Sequence, residues 1–363
     1  MQDNPRSILL LFFGNTATDR RVQNFRRFFE QLGWKVEILS ITSKIKRGPR
    51  RFFDYHRKLL NAIRSKQADV VLACDLYSLY AAAWLKRNNR VRLLIYDARE
   101  VYTELPTVAN RPLVKWVWRR VERRGLSRTD FIVTTGPSDV QAIFNIHHFL
   151  PQSILVRNLP WRDPSLTHDR SLLDRFGIPQ DAIVLVYVGG LQEGRGLIKL
   201  IESIKALTTA HVLLIGDGLL RKRLEEFAEE TSVNHRVHFA GALPSEEALR
   251  IAAACDVGVS LIEPISRSYE LALPSKLFEY MMAGLPVVSS KLEQVVELFG
   301  GQEWIAFVDV NDTGSVQEGI QKAIEIAENK SLREDERTLA LDQFHFERDA
   351  AHLLTAITLR LRN

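Results

Sequence analysis

Residues 183–196 read IVLVYVGGLQEGRG, a continuous apolar run that ends in paired glycines. A run without charged residues is typical of a strand buried on both faces of a parallel sheet. Gly189 and Gly190 would let the backbone approach an anion closely. A helix predicted from Leu197 to Leu207 would add unpaired N–H groups and its positive dipole end. The spacing is neither Gly-x-Gly-x-x-Gly nor a Walker loop, and a plain strand-to-helix turn is the alternative.

The same alternation of strand and helix occurs along the whole chain. A helix is predicted over residues 19–32, for example, with Gly33 as its stop. We therefore predict an α/β fold with two Rossmann-like, doubly wound domains facing across a cleft, where the carboxyl ends of strands bind ligands. The predicted strands are 8–13, 36–41, 70–74, 93–96 and 131–134 in the first half, and 183–188, 211–215, 237–239, 257–260 and 286–289 in the second.

The length of 363 residues fits two domains of ordinary size. A linker near Pro160–Pro164 would separate an N-terminal domain, 1–162, from a C-terminal domain, 163–340. No apolar run approaches the roughly 20 residues of a membrane span. The two cysteines, Cys74 and Cys255, lie in apolar surroundings, which favours buried thiols in a reducing, cytoplasmic compartment over a disulfide.

The net charge of +5 hides an asymmetry between the two halves. Residues 1–165 carry 29 Lys and Arg against 14 Asp and Glu, and residues 166–363 carry 20 against 30. A basic half indicates an anionic partner, which would be membrane phospholipid, an anionic acceptor or nucleic acid. A merely solvated basic surface is the alternative.

A second stretch, LPSKLFEYMMAGLPVV at 273–288, predicts a helix that starts at Pro274 and Ser275 and ends at Gly284. Lys276 and Glu279 are three residues apart and share one helix face. A cation in the first turn is disfavoured by the helix dipole, and a phosphate would compensate it. Glu279 could accept hydrogen bonds from ribose hydroxyls. A solvated ion pair is the alternative.

These motifs together resemble the retaining GT-B glycosyltransferases of family 4. The residues that carry the resemblance are GGL at 189–191, GRG at 194–196, IGDG at 215–218, FAG at 239–241, PSKLFEY at 274–280 and AGLP at 283–286. The first half adds DRRV at 19–22 and YDAREVY at 96–102. The resemblance covers most of the chain and is specific across residues 186–290.

The resemblance implies an acceptor-binding first domain, a nucleotide-sugar-binding second domain, and a helix over 341–363 that crosses back to the first. It implies catalytic roles for Glu270, Arg195 and Lys276. The donor-binding residues would be Gly14, Gly189, Gly190, Arg195, Gly241, Ala242, Leu243, Leu273, Pro274, Ser275, Lys276 and Glu279, and the acceptor-side residues Asn15, Asp19, Asp97, Arg99 and Glu100.

Three positions depart from the family pattern. Gly190 stands where the family often has Arg, and Arg195 stands at its Lys position. The first of two paired glutamates falls on Leu271, with Glu270 one residue early. Arg99 stands where related sequences often carry His.

The resemblance further implies hexosyl transfer with retention, from a UDP- or GDP-sugar to a glycan, lipid-linked or small-molecule acceptor, as in cell-envelope polysaccharide biosynthesis. It implies no cofactor and no metal, since cations and helix ends stabilise the leaving diphosphate. No histidine spacing favours zinc, and the pair His147-His148 is expected at a helix-end surface. The alternatives are a GT-B-type sugar-nucleotide epimerase and a non-catalytic, membrane-associated nucleotide-binding module.

Two basic segments of the first half predict a peripheral contact with an anionic membrane. Residues 116–124 read WVWRRVERR, and residues 44–51 read KIKRGPRR. Both could dock near a lipid-linked acceptor. The alternative places Trp116 and Val117 in the core. Nucleic acid is not expected as a partner, because no recognition motif accompanies the charge.

Overall fold

A computed structural model describes residues 5–14, 19–42, 45 and 49–362. The chain forms two compact units. Unit 1 comprises the chain up to Asn158 together with Phe346 onward, and unit 2 comprises Leu159–His345. The predicted boundaries were 162 and 340. The difference arises because residues 159–164 pack within unit 2: Arg162 Nε donates to the Leu341 carbonyl at 3.0 Å, and Arg337 donates to the Pro164 carbonyl at 2.9 Å.

Unit 1 is built on a parallel sheet of six strands in the order β2-β1-β3-β4-β5-β6. The strands are β1 Ser7–Phe12, β2 Lys35–Ser40, β3 Ala68–Ala73, β4 Val91–Ala98, β5 Phe131–Thr134 and β6 Gln152–Leu155. The chain reverses direction across the sheet between β1 and β3, so a ligand-binding crevice is expected at their carboxyl ends. Strand β6 was not predicted, because it lies at the sheet edge and buries one residue of four.

Seven helices of unit 1 flank this sheet in the described residues: α1 Arg20–Gln31, α2 Pro49–Ile63, α3 Leu76–Arg87, α4 Pro106–Ala109, α5 Pro112–Leu126, α6 Pro137–His147 and, from the end of the chain, α15 Phe346–Arg362. Asp19 caps α1 by accepting a hydrogen bond from the Val22 N–H at 2.9 Å. The predicted helix start at Asp19 is thereby confirmed to within one residue.

Helix α15 is an integral part of unit 1. Phe346 packs edge-on against Phe25 with ring centroids 5.2 Å apart. Asp349 accepts two side-chain hydrogen bonds from Arg157, at 2.8 and 2.7 Å. Helix α15 therefore completes the core of unit 1, whose other elements precede unit 2 in the sequence.

Unit 2 is built on a second parallel sheet, with the order β12-β11-β10-β7-β8-β9. The strands are β7 Ile183–Val188, β8 Ala210–Ile215, β9 Val237–Gly241, β10 Val257–Ser260, β11 Val287–Ser290 and β12 Ile305–Val308. The order of strands reverses between β7 and β10, which makes their carboxyl ends the expected ligand site. Strand β12 was not predicted, since an apolar run of about four residues does not distinguish strand from helix.

The helices of unit 2 are α7 Leu197–Ser203, α8 Arg221–Glu230, α9 Ser245–Ala253, α10 Arg267–Glu270, α11 Ser275–Ala283, α12 Glu293–Phe299, α13 Thr313–Glu328 and α14 Lys330–Gln343. Helix α7 ends four residues before its predicted end at Leu207. Helix α11 begins and ends as predicted, at Ser275 and before Gly284.

In the part of the chain that the structure describes, no helix is both long enough and apolar enough to cross a membrane. Cys74 and Cys255 are both fully buried free thiols, which confirms the prediction of their burial.

Candidate functional site

Glycines follow β7 and the neighbouring β8, so backbone atoms rather than side chains line the carboxyl ends of these two strands. Gly189 has φ +145°, a conformation that residues with a Cβ rarely adopt. Gly216, at the end of the neighbouring β8, has the same φ, and a Cβ there would lie 1.9 Å from the Gly189 carbonyl oxygen. The two strand ends can pack this closely only because Gly216 has no Cβ. Tyr187 supports the turn by donating a hydrogen bond to the Gly190 carbonyl at 2.9 Å.

Helix α11 starts beside this edge with Pro274 as its N-cap. No side chain accepts a hydrogen bond at the N-cap, so the first N–H groups of the helix are not satisfied by a cap. Such groups, with the positive end of the helix dipole, favour an anion.

Lys276 and Glu279 are both buried on α11, at 8% and 3% exposure. This excludes the alternative of an ion pair on a solvated face. Lys276 Nζ lies 3.8 Å from the centre of the Tyr187 ring, in a cation–π contact. Burial lowers the pKa of Lys276 well below its ordinary value, repulsion by Arg195 lowers it further, and Glu279 opposes both.

Arg195 is half-buried, and its positive charge is close enough to Lys276 to lower the pKa of that lysine. Its guanidinium lies 4.8 Å from the centre of the Tyr269 ring. Among the described residues, no carboxylate pairs with Arg195. Arg195 and Lys276, each against an aromatic ring and beside a helix start without a side-chain cap, form a site suited to an anion. Tyr187 and Tyr269 were not predicted as site residues, because their contribution depends on contacts between distant elements.

The other predicted donor-binding residues of unit 2 follow strands or lie at the start of α11. Gly241 ends β9, with Ala242 exposed and Leu243 half-buried just after it. Leu273 and Ser275 are half-buried. Their contacts with a nucleotide base or diphosphate stay predictions.

Glu270 lies at the end of α10 and is 43% exposed. Its carboxylate pairs with Arg267 at 2.9 Å. The next residue, Leu271, is buried, and its carbonyl accepts a hydrogen bond from the Gln294 side chain. A sugar-binding role for Glu270 would require this ion pair to open, and it stays a prediction.

The acceptor-side candidates of unit 1 form a charged network. Asp19 accepts a hydrogen bond from Arg99 at 2.6 Å, and Arg99 lies 3.7 Å from Asp97. Asp97 is fully buried and accepts three bonds from buried Arg21, at 2.6–3.0 Å. The fold therefore uses Asp97 to hold two arginines, which leaves Asp19 and Arg99 as the more accessible members.

The remaining candidate residues of the first half lie after β1, after β4 or in the basic segment 44–51. Glu100 is half-buried, and Gly14 follows β1 as predicted. Asn15 lies outside the described residues, as do residues 44 and 46–48 of the basic segment 44–51. Arg51, within that segment, lies 4.6 Å from the centre of the Phe13 ring.

Helix α5 exposes two apolar residues that the alternative to a membrane contact had placed in the core. Trp116 and Val117 are 58% and 43% exposed, so their placement in the core is wrong, whereas Trp118 is buried. The buried carboxylate of Glu122 anchors the inner face by accepting a hydrogen bond from Tyr96 at 2.8 Å and contacting His147 Nε2 at 2.9 Å. The expectation that His147 is a surface residue is therefore wrong, because it pairs with Glu122 inside the unit.

Across the described ranges, no group of three or more His, Cys, Asp or Glu residues could hold a metal ion.

A family model described as "Glycosyl transferases group 1" matches residues 170–338. The lipopolysaccharide core biosynthesis glycosyltransferase LpsE of Rhizobium meliloti (strain 1021) is 31% identical over 206 residues, which cover 56% of each chain. LpsD of the same strain is 28% identical over 156 residues, covering 43% of this chain and 42% of LpsD. The matches thus span about half the length of these curated relatives.

Solved structures resemble the whole chain. Sucrose-phosphate synthase from Thermosynechococcus elongatus has a TM-score of 0.79 at 16% identity, covering 98% of both chains. WaaG, a glycosyltransferase involved in lipopolysaccharide biosynthesis, has a TM-score of 0.73 at 15% identity, covering 96% of this chain and 99% of WaaG. Anabaena HepE in complex with UDP-glucose also has a TM-score of 0.73, at 16% identity, over 97% and 99%. At these identities the likeness concerns the fold, and the predicted GT-B class with two Rossmann-like domains is confirmed.

Proposed function

We propose, from the match of residues 170–338 to the family model "Glycosyl transferases group 1", that this chain transfers a sugar from a nucleotide-sugar donor to a glycan or lipid-linked acceptor. One observation carries the proposal. Buried Lys276 and half-buried Arg195 repel each other beside the uncapped start of α11. A diphosphate between them would neutralise both cations and use the free N–H groups.

The neighbouring residues suit the rest of a nucleotide. Glu279 is buried three residues after Lys276, on the same helix face, where its carboxylate can accept hydrogen bonds from the ribose hydroxyls. The packed glycines of β7 and β8 keep side chains away from the strand ends. The loop from Gly241 to Leu243 follows β9 at the same edge of the sheet and would take the base.

In this proposal the leaving diphosphate is stabilised by Lys276, Arg195 and the α11 N-terminus, without a metal ion or other cofactor. The acceptor attacks from the face that the diphosphate leaves, so the anomeric configuration is retained. Asp19 and Arg99 of unit 1 are the acceptor-side candidates. Glu270 would contact the transferred sugar once its pairing with Arg267 opens.

The names of the relatives support a place in lipopolysaccharide or related cell-envelope glycan synthesis. The UDP-glucose complex of HepE supports a UDP-sugar as donor, and a GDP-sugar is the alternative. The proposed location is the cytoplasm, with peripheral contact to the membrane that holds a lipid-linked acceptor.

The surface of α5 supports that contact. Its first two turns expose an apolar ridge of Leu113, Val114, Trp116 and Val117, with Leu113 at 73% exposure. The helix carries five Lys and Arg, and its single acid, Glu122, is buried. An exposed apolar ridge with basic neighbours is typical of a helix that lies in the interface of an anionic membrane.

The test is incubation of the protein with a panel of radiolabelled UDP- and GDP-sugars, with and without lipid and glycan acceptor extracts. We expect one donor to be consumed, with an Lys276→Ala variant as the inactive control. Isomerisation of the donor without any acceptor would indicate an epimerase instead. Binding of a nucleoside diphosphate without turnover of any donor would indicate a non-catalytic module, the alternative that the pairing of Glu270 and the burial of Leu271 support.

A further inference from the structure

A cavity of about 470 Å³ lies between α3 and α5 of unit 1, and none of its lining residues belongs to the proposed donor or acceptor site. Helix α3 contributes Tyr80, Ala83, Trp84 and Arg87, whose spacing puts them on one helix face. The end of α5 and the turn after it contribute Arg124, Gly125 and Arg128.

Gly125 explains how the cavity forms. A Cβ at this position would lie 2.4 Å from Leu79 Cδ2, so only glycine lets α5 approach α3 here. With the helix backbone this close and no side chain at Gly125, the longer residues on either side form walls around an open space.

The cavity concentrates positive charge without a matching acid. Among the described residues, no carboxylate pairs with Arg87, Arg124 or Arg128. Arg128 donates a hydrogen bond to the Arg124 carbonyl at 3.3 Å, which leaves its positive charge without a carboxylate partner. The nearby acid Asp130 is already bound, at 2.7 Å, by Lys86.

A helix-dipole explanation accounts for part of this arrangement. Arg87 and Arg124 each lie in the last turn of a helix, where a cation is favoured. It does not account for three guanidinium groups lining one cavity, because each helix end carries only about half a negative charge. The surplus positive charge favours an anion.

The walls and the surroundings indicate which anion. Trp84 and Tyr80 line the cavity with aromatic surface, which suits an apolar or carbon-bearing group beside the charge. Leu113 and Val117, in the apolar ridge of α5, precede Arg124 by eleven and seven residues and so lie along the same helix face. The apolar ridge and the cavity therefore lie one after the other along the same exposed face of α5.

We infer that this cavity binds the phosphate headgroup of an anionic membrane phospholipid. The planar guanidinium groups of Arg87, Arg124 and Arg128 hold the phosphate oxygens, Trp84 and Tyr80 flank the glycerol, and the apolar ridge enters the acyl boundary. The inference rests on the proposed membrane contact of unit 1, and it does not depend on the proposed transfer reaction.

The test separates the headgroup cavity from the ridge. Titration calorimetry at fixed ionic strength would use monomeric dihexanoyl phosphatidic acid, inorganic phosphate, and vesicles of phosphatidylcholine with phosphatidylglycerol. The cavity variant is Arg124→Ala with Arg128→Ala. The ridge variant is Leu113→Ser with Trp116→Ser. A charge-matched control, Arg111→Ala with Arg123→Ala, removes two exposed arginines of the same helix region that do not line the cavity.

We expect the cavity variant to lose about 10-fold or more in affinity for the monomeric lipid, for each charge-assisted bond removed. The control should bind it as the wild type does. The ridge variant should keep the monomeric lipid and lose the vesicles. Unchanged binding of the monomeric lipid by the cavity variant would overturn the inference while leaving the membrane contact intact. Equal affinity for inorganic phosphate would overturn the lipid as ligand, and absence of wild-type vesicle binding would overturn both proposals for unit 1 without touching the transfer reaction.

Discussion

Replacing Lys276 by Met should weaken nucleoside-diphosphate binding and stabilise the free protein at the same time. Met has nearly the length of Lys and no charge, so it fills the same buried volume. Lys276 is 8% exposed, and the substitution removes its ammonium group, which lies 3.8 Å from the centre of the Tyr187 ring and is repelled by Arg195. When a residue serves binding rather than folding, its replacement is expected to weaken binding and to stabilise the free protein.

Two contributions of opposite sign determine the stability change. The lost cation–π contact costs about 0.5–2 kcal/mol, whereas relief from burying an ammonium ion returns several kcal/mol. We expect the free energy of unfolding to rise by about 1–3 kcal/mol. The lost charged bonds to phosphate should cost about 1.5–3 kcal/mol of binding, which raises Kd about 10- to 150-fold.

The assay is thermal unfolding of the free protein together with titration calorimetry against UDP and GDP. Lys222→Met is the control, since Lys222 is 88% exposed on α8 and the charge change is the same. In the wild type, stability should also rise with pH between the lowered pKa of Lys276 and the ordinary Lys pKa, because the unfolded chain holds the extra proton there. A variant that is less stable, with unchanged Kd and the same pH dependence, would refute the reasoning.

Three further predictions concern the fold around the sites. Burial raises the pKa of Glu336, whose two carboxylate oxygens have no hydrogen-bond partner among the described residues, so wild-type stability should fall as pH rises above the ordinary Glu pKa. Glu336→Met should remove that fall and gain about 1–3 kcal/mol at pH 8, seen as a higher Tm; an identical pH profile would contradict this. Asp97→Asn should cost about 3–5 kcal/mol in urea unfolding, because it leaves the buried charge of Arg21 without its partner; a loss below about 1 kcal/mol, as for exposed pairs, would be inconsistent with that role. Gly216→Ala should cost about 2–5 kcal/mol and abolish UDP binding, whereas Gly301→Ala, where a Cβ meets nothing within 4 Å, should do neither.

The sequence predicts the strands of both sheets well where they are continuous apolar runs, because burial on both faces leaves a local signal. It does not predict that β7 lies between β8 and β10 while β1 lies between β2 and β3. Strand order depends on pairing between distant segments, which no local pattern records. The edge strand β6 was missed for the related reason that it buries too little to show a pattern.

For the site, sequence spacing predicts that Lys276 and Glu279 share a helix face, but not that both are buried. Charged residues are seldom buried, so a solvated pair was a reasonable alternative. The burial depends on Tyr187, which lies 89 residues earlier in the chain and packs its ring against Lys276. Likewise, the amphipathic pattern of α5 does not reveal which tryptophan faces inward. Trp118 faces inward because its ring packs against Phe52 of α2 and Tyr77 of α3, with ring centroids 5.0 Å apart in each pair.

The return of α15 to unit 1 sets the order in which the chain can fold during synthesis. Unit 2 is a continuous segment, so it can fold as soon as residues 159–345 have left the ribosome. The first part of unit 1 is translated before unit 2, yet Phe25 and Arg157 gain their contacts with Phe346 and Asp349 only after the whole of unit 2 has been translated. The usual order, in which the N-terminal domain is completed first, is therefore reversed. The nascent unit 1 keeps apolar surface exposed throughout translation of unit 2, and a chaperone that holds it during that interval should increase the yield of folded protein.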